Sequence, residues 1–200
     1  MENIRAFIAI ELTEEVKAEL SSVQGRLKPE RHPYVKWVAV DGIHLTLKFL
    51  GNIDQEKVSP IAEAMAEAAQ GISPFRLEIG GLGAFPNLRR PQVIWVAVGG
   101  EVEKLASLQR AIDHSLVALG FSPETRPFTP HLTLGRLRER ASAEERRRIG
   151  EALLAEGGEG VVPFPVTEVN LMRSTLTPRG AIYNRLCSIQ LESGLPTTNF

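Results

Sequence analysis

The tetrapeptide HLTL occurs twice in the chain, as His44-Leu45-Thr46-Leu47 and as His131-Leu132-Thr133-Leu134. The chain has four histidines among its 200 residues, so half of them stand in the same short motif. The chance that another histidine is followed by LTL at random is on the order of a few in a thousand. The repeat is therefore a lead to two equivalent positions in the fold.

Each HLTL motif predicts a β-strand with one polar and one apolar face. Residues i and i+2 of a strand project from the same face. In the first strand, strict alternation therefore predicts one polar face with His44, Thr46 and Lys48. The residues between them are expected to face a core: Leu45, Leu47 and Phe49 in the first strand, Leu132 and Leu134 in the second.

Two such strands that face each other would bring two imidazoles and two hydroxyls together. This set suits a phosphodiester, because a neutral imidazole accepts a proton from an attacking hydroxyl while an imidazolium donates one to the leaving oxygen. Threonine hydroxyls can hydrogen-bond the nonbridging oxygens. A metal site is disfavoured, because HxT offers one good ligand per strand and no acidic or histidine cluster completes the set. A single such histidine would more often be structural.

The composition indicates an ordinary folded protein of one large domain or two small lobes. Hydrophobic residues make up 43% and charged residues 24%, and the net charge of −1 gives no general attraction to nucleic acid. The one cysteine, Cys187, favours a reducing compartment and a core position. We find no membrane-spanning run, and the short apolar N-terminal stretch is not typical of a signal peptide, so a cytoplasmic location is expected.

The periodicity predicts an α+β fold, since helices and strands alternate without a strict βαβ order. The strands are predicted at residues 4–12, 35–40, 44–50, 75–85, 93–99, 131–137, 166–176 and 181–191. The helices are predicted at residues 13–28, 54–70, 101–120 and 138–156. Each half of the chain contains one HLTL strand, which predicts a single domain, 1–200, with two halves. The boundary between the halves is expected near residues 90–100, and an exchange of strands between the two lobes is compatible with this plan.

Flanking residues make the resemblance to a known family specific. RAFIAIEL, HLTLKFLGN, FTPHLTLGRL and LMRSTLTPRGAIY follow one another in the order seen in the bacterial and archaeal RNA 2′,3′-cyclic phosphodiesterases, formerly named 2′-5′ RNA ligases. The chain thus resembles 2H phosphoesterases over nearly its whole length. The resemblance implies two pseudo-symmetric lobes, with antiparallel sheets lining a central cleft, helices outside and no metal or other cofactor.

The resemblance also implies roles for the motif residues. His44 corresponds to the proton donor, His131 to the proton acceptor that activates water, and Thr46 and Thr133 to the hydroxyls that hold the phosphate. Further candidates for substrate binding are Lys48, Arg89, Arg90, Arg126, Phe128 and Arg136. Arg136 reaches the cleft only if a bulge near Gly135 interrupts the alternation. Phe128 fits a core position equally well, and Arg89 and Arg90 fit a solvated loop at least as well as a phosphate contact. Trp37 and Trp95 are expected in the core, and Arg173 and Tyr183 match family positions without an assigned role.

The implied activity is metal-independent hydrolysis of a 2′,3′-cyclic phosphate at an RNA end, for example a tRNA fragment, to a 2′-phosphomonoester by a monomeric enzyme. Reverse 2′-5′ ligation is chemically open to the same site. Two alternatives remain at this point: a 2H phosphodiesterase for a small cyclic nucleotide such as ADP-ribose cyclic phosphate, and a non-catalytic module that binds RNA ends. The size of the basic rim would separate RNA from a small nucleotide.

Overall fold

The computed structural model describes residues 3–27, 33–157, 161–178 and 180–191. His32 and the C-terminal tail from residue 192 lie outside them. The described helices are Glu14–Leu27 (α1), Val58–Ala69 (α2), Val102–Ser115 (α3) and Ala143–Glu156 (α4). The described strands are Asn3–Ile10 (β1), Val35–Trp37 (β2), Leu45–Asp54 (β3), Phe75–Phe85 (β4), Val93–Gly100 (β5), His131–Leu137 (β6), Val162–Val166 (β7), Glu168–Thr177 (β8) and Gly180–Gln190 (β9).

The strands form two antiparallel sheets, which confirms the α+β class. The first sheet has the order β3-β1-β8-β9 and carries the first HLTL, and the second has the order β2-β6-β5-β4-β7 and carries the second. The first sheet takes two strands from each end of the chain. In the second sheet, β4 and β5 are hydrogen-bonded neighbours although they flank the expected boundary near residues 90–100. The division into two halves stays a prediction.

The helices cover one face of each sheet and leave the other face open for a site. Helices α2 and α3 pack together and contact the first sheet, while α1 and α4 contact strands of the second. One continuous core of aliphatic and aromatic side chains lies beneath the helices. A separate small cluster of Phe7, Ala9 and Met172, with Tyr183 packed on it, lies on the uncovered face of the first sheet.

The helix ends follow local sequence signals. Thr13 accepts a hydrogen bond from the Val16 amide at the start of α1, as an N-cap does. Helix α2 begins after a 3₁₀ turn, so Pro60 falls in its first turn, where no intrahelical amide is lost. The 3₁₀ turn that follows α3 ends at Gly120 in the left-handed conformation, with φ 88°. None of the described helices has the length and apolarity needed to span a bilayer.

The structure differs from the sequence prediction at three elements. Helix α4 begins at Ala143, not at residue 138, because Ser142 and Glu145 form a reciprocal capping box that stops the helix there. The strand predicted over 35–40 ends at Trp37, where the chain enters a 3₁₀ turn. Strand β7, VPFPV, was not predicted; its prolines are tolerated because it pairs only with β4 at the edge of the sheet.

Candidate active site

His44 is fixed in one orientation just before β3. Its Nδ1 lies 2.9 Å from the carbonyl oxygen of Gly42. Since a carbonyl only accepts, Nδ1 carries the proton, which leaves Nε2 of the neutral ring as the acceptor. The imidazole is stacked on Phe7 with ring centroids 4.5 Å apart, and the edge of Tyr183 packs against it at 4.9 Å. The ring is therefore held by a backbone carbonyl and two aromatic side chains.

His131 is held in the same way at the start of β6. Its Nδ1 lies 2.7 Å from the carbonyl oxygen of Thr129, again two residues before the histidine. Phe85 meets the ring edge-on at 4.9 Å, and the Trp95 ring centroid lies 6.3 Å away. Both histidines thus share a tautomer and an aromatic support. Trp95 was expected in the core; that prediction is wrong, because cross-strand pairing with Thr133 puts its indole on the HxT face.

A β-bulge follows the threonine in both HLTL strands. In the first sheet, Ala9 pairs with Thr46 and Ile8 pairs with Lys48, so Leu47 is an extra residue. In the second sheet, Trp95 pairs with Thr133 and Ile94 with Gly135, so Leu134 is extra. A bulge of one residue shifts the alternation, so the residues that follow it change face. In the first strand this applies to Lys48 and Phe49, because a second shift follows at Leu50.

The bulge overturns the predicted faces after Thr46. Phe49 was expected in the core, but it pairs with Phe7 on the open face and is 69% exposed. The centroids of the two rings are 6.2 Å apart. Lys48, expected beside His44 and Thr46, pairs with Ile8 and points to the covered face, where it is 8% exposed. Both predictions of face are wrong because strict alternation does not allow for the extra residue.

The same shift brings Arg136 onto the face of His131 and Thr133. Arg136 pairs with Val93, two residues before Trp95 on the neighbouring strand, and its side chain is exposed. The bulge that this position required is present, centred on Leu134 instead of Gly135. The residue five positions after the histidine therefore joins the open face in both strands. It is an aromatic ring, Phe49, in the first strand and a guanidinium, Arg136, in the second.

Lys48 forms a buried ion pair instead of lining the open face. Its Nζ donates a hydrogen bond to a carboxylate oxygen of Asp113 on α3. It donates a second one to the carbonyl oxygen of Ser122, 2.9 Å away. Asp113 also accepts from the backbone amide of Glu124, at 3.1 Å. Residues 122 and 124 belong to the loop that leads to His131. The pair thus ties the strand of the first motif to the approach of the second.

Burial shapes the acid–base properties of His44. Enclosure by apolar rings disfavours the charged imidazole and lowers the pKa of His44 from 6.5 to about 4, despite an opposing effect of the Gly42 carbonyl. In the free protein His44 is therefore neutral at neutral pH. A bound anion next to the ring would favour the charged form and raise this pKa.

The remaining substrate-binding candidates divide by position. Arg126 is exposed and its guanidinium contacts Glu124. Phe128 packs on the core, so of its two predicted roles, substrate binding and core packing, the structure shows core packing. Arg89 and Arg90 are exposed on the turn between β4 and β5. Tyr183, which had no role from sequence, contacts His44. Its place was not predictable from spacing, since it comes from the last strand of the sheet.

The described part of the chain contains no group of three or more histidine, cysteine, aspartate or glutamate side chains able to hold a metal ion. Cys187 packs partly buried against the core, and burial raises the pKa of its thiol. The open faces therefore present imidazole, hydroxyl, guanidinium and aromatic groups. This set can move protons and bind an anion.

A family model for LigT-like phosphoesterases matches residues 10–95 and 98–183. Each matched segment contains one HLTL motif with its bulge. The chain belongs to the LigT-like phosphoesterase family.

Individual sequence relatives agree with this family. The RNA 2′,3′-cyclic phosphodiesterase of Methanothermobacter thermautotrophicus is 38% identical over 181 residues, which cover 90% of this chain and 95% of that protein. The enzyme of the same name from Thermotoga maritima is 36% identical, over 96% and 98% of the two chains.

Two solved structures share the fold of this chain. Escherichia coli LigT in complex with 3′-AMP superimposes with a TM-score of 0.76 at 25% identity, over 96% of this chain and all of that one. TT0787 of Thermus thermophilus gives a TM-score of 0.73 at 29% identity, over 94% and 98%. These matches confirm the expected family and its α+β architecture of antiparallel sheets with helices outside.

Proposed function

We propose that this LigT-like phosphoesterase hydrolyses a 2′,3′-cyclic phosphate at an RNA end to a 2′-phosphomonoester. The observation that carries the proposal is the matched pair of histidines. Each has Nδ1 fixed on the carbonyl two residues before it, and each is followed by a threonine and a bulge. Two relatives that are 36% and 38% identical to this chain are named RNA 2′,3′-cyclic phosphodiesterases. Both motifs come from one chain, so a monomer suffices, and the single cysteine is compatible with the cytoplasm.

In the proposed reaction, Nε2 of His131 takes a proton from a water whose oxygen attacks phosphorus. The bond between phosphorus and O3′ breaks, and Nε2 of protonated His44 gives its proton to O3′. The product carries the phosphate on O2′ and a free 3′-hydroxyl. Thr46 and Thr133 donate hydrogen bonds to the nonbridging oxygens, where charge grows in the transition state.

Arg136 and Phe49 make the two HLTL strands chemically different. The Arg136 guanidinium lies on the face of Thr133 and can form two parallel hydrogen bonds with a phosphate. The exposed Phe49 ring, backed by Phe7, offers an apolar surface on which a base can stack. His44 gains its proton when the anionic phosphate lies beside it, since the attraction offsets the burial that lowers its pKa.

The first experiment is incubation of the protein with a short RNA that ends in a 2′,3′-cyclic phosphate, in the presence of EDTA. We expect a 2′-phosphate product at a rate that EDTA does not change. Mass spectrometry and isomer-specific enzymes identify the phosphate position. A 3′-phosphate product would reverse the assigned direction, and loss of activity that Zn²⁺ or Mg²⁺ restores would contradict the two-histidine mechanism.

The direction of proton transfer has its own test. In a substrate with sulfur in place of O3′, the leaving thiolate needs no proton, since thiols ionise near pH 8.5. We expect His44→Ala to lower kcat on the oxygen substrate by about 10²–10⁴-fold, yet to stay within roughly tenfold of the wild type on the sulfur substrate. His131→Ala should impair both substrates. If the sulfur substrate rescues His131→Ala instead, the two roles are exchanged.

A further inference from the structure

An open pocket of about 590 Å³ lies beside the second HLTL strand and shares Trp95 with the candidate site. Its size is within the range of about 300–1,000 Å³ typical of small-ligand sites. Besides Trp95, it is lined by Leu82, Gly83, Ala84, Asn87, Leu88 and Arg89. The two-histidine reaction uses none of these residues.

The pocket exists because the outer edge of β4 is left open. Strand β7 pairs with β4 only from Phe75 to Ile79, so the edge beyond Ile79 is not covered by β7. Gly83 allows the Trp95 indole to lie across β4 to this edge, since a Cβ on Gly83 would sit 2.2 Å from the ring. The indole nitrogen is buried without a hydrogen-bond partner in the described chain. Ring packing, not a polar bond, therefore holds the indole there.

The rim of the pocket is a rigid turn. The Asn87 side chain accepts hydrogen bonds from the amides of Arg89 and Arg90, both at 3.0 Å. Arg146 on α4 donates to the Pro91 carbonyl at 2.8 Å. The Leu88 carbonyl packs so closely on α4 that a Cβ at Gly150 would lie 1.9 Å from its oxygen. A turn held at these points is pre-organised, which lowers the entropy lost on binding.

The chemistry of the pocket fits one nucleotide. An indole and three apolar side chains suit a nucleobase, because bases stack on aromatic rings with little dependence on sequence. Arg89 adds a cation at the rim, and its guanidinium has no ion-pair or hydrogen-bond partner among the residues that the structure describes. The Trp95 ring lies 6.3 Å from the His131 ring. Stacked nucleotides of one strand are spaced by about 3.4 Å along the helix axis, so a ring this close to His131 lies within about two nucleotides of the reacting phosphate.

We propose that this pocket binds the nucleotide on the 5′ side of the cyclic end, with its base against Trp95 and the phosphate that joins it to the terminal nucleotide on Arg89. The inference rests on the proposed function and specifies its substrate as RNA of at least two nucleotides, not a small cyclic nucleotide. Arg90, the neighbouring arginine, does not line the pocket and has no part in this subsite.

The test compares kcat/KM for a nucleoside 2′,3′-cyclic phosphate with that for a dinucleotide and a trinucleotide carrying the same end. We expect the wild type to favour the dinucleotide by about tenfold or more. Arg89→Gln should remove about five- to twentyfold of this preference, and Arg89→Glu should remove more. Neither change should affect the mononucleotide, whose hydrolysis reports an intact catalytic centre. Arg90→Gln and Arg90→Glu are the matched controls.

The outcomes separate the subsite from the reaction itself. Equal kcat/KM for all lengths in the wild type would overturn the subsite and leave the proposed function standing. Equal losses from the Arg89 and Arg90 substitutions would also overturn it, since they would indicate general attraction to a polyanion. If no length of RNA is hydrolysed, the proposed function fails and the subsite with it. A length preference that Arg89→Glu removes and Arg90→Glu retains supports the subsite.

Discussion

At the scale of single residues, the environment of His44 makes stability depend on pH. Its pKa is about 4 in the folded protein, below the value of 6.5 expected when it is unfolded. The unfolded chain therefore binds more protons between these values, and the free energy of unfolding falls as the pH drops from 6.5 towards 4. The loss from this one group amounts to about 2–3 kcal/mol by pH 4.5.

Urea unfolding at pH 7.0 and pH 4.5 measures this effect. His44→Gln should lose less stability between the two pH values than the wild type, by about 2–3 kcal/mol. Carboxylates that titrate over the same range contribute equally to both proteins and cancel in the comparison. His114→Gln, which removes an exposed histidine on α3, is the control. An equal pH dependence for His44→Gln and the wild type would show that His44 is not buried as described.

Arg136 is the second residue whose contribution can be isolated. Because the bulge puts it on the face of His131 and Thr133, Arg136→Gln should lower kcat by about 10²–10³-fold, the scale of one lost donor to a developing anion. Arg138→Gln is the control, since that exposed side chain follows the end of β6. Steady-state kinetics on RNA with a cyclic end check both. Equal kcat for Arg136→Gln and the wild type would place the guanidinium outside the site.

At the scale of elements, the ion pair between β3 and α3 joins the approaches to the two motifs. The side chains of Lys48 and Asp113 are 7% and 16% exposed. Lys48→Met would leave a buried carboxylate without its partner and should cost about 3–5 kcal/mol of unfolding free energy. The double variant Lys48→Met/Asp113→Leu should recover most of this loss, because both charges are then absent.

Denaturant unfolding of the two single variants and the double variant closes the thermodynamic cycle. The exposed pair of Lys104 and Glu101 at the start of α3 is the reference. Its removal should cost less than about 1 kcal/mol. If Lys48→Met costs no more than Lys104→Met, the buried pair does not hold the loop before His131.

Elements with a strong local signal were predictable, and those that depend on a partner strand were not. Alternation was enough to place His44 with Thr46 and His131 with Thr133. It failed two residues later, at Lys48 and Phe49, because a bulge is a property of the strand pair, and a single strand gives no sign of it. Strand β7 was missed for a related reason: its prolines argue against a central strand, and only its edge position permits them.

At the scale of the whole molecule, each sheet is built from strands far apart in the sequence. Strand β1 lies between β3 and β8, and β4 lies between β5 and β7. The sequence predicted two similar halves, which is a statement about local patterns. Which strands pair across the halves depends on long-range packing that periodicity does not describe. The family resemblance was therefore the better guide to the architecture.

This pairing of strands that are distant in sequence predicts that neither half folds alone. A fragment of residues 1–92 would leave β1 without β8 and β4 without both of its partners. We expect it, and the fragment 93–200, to show no cooperative unfolding transition by circular dichroism in urea. A mixture of the two should regain a transition, because all the strands are again present. A cooperative transition in either fragment by itself would indicate an independent domain.

The paired bulges have a consequence for how a substrate finds its orientation. A site built only from two equivalent histidines and two equivalent threonines would be degenerate: a cyclic phosphate turned by half a rotation would meet the same groups. Because Leu47 and Leu134 are extra residues, the fifth residue after each histidine, and not the fourth, lies on the open face. Because that residue is Phe49 on one face and Arg136 on the other, the two orientations of the cyclic phosphate are no longer equivalent. Exchanging them, as Phe49→Arg with Arg136→Phe, should therefore invert the preferred docking and increase the share of 3′-phosphate in the product.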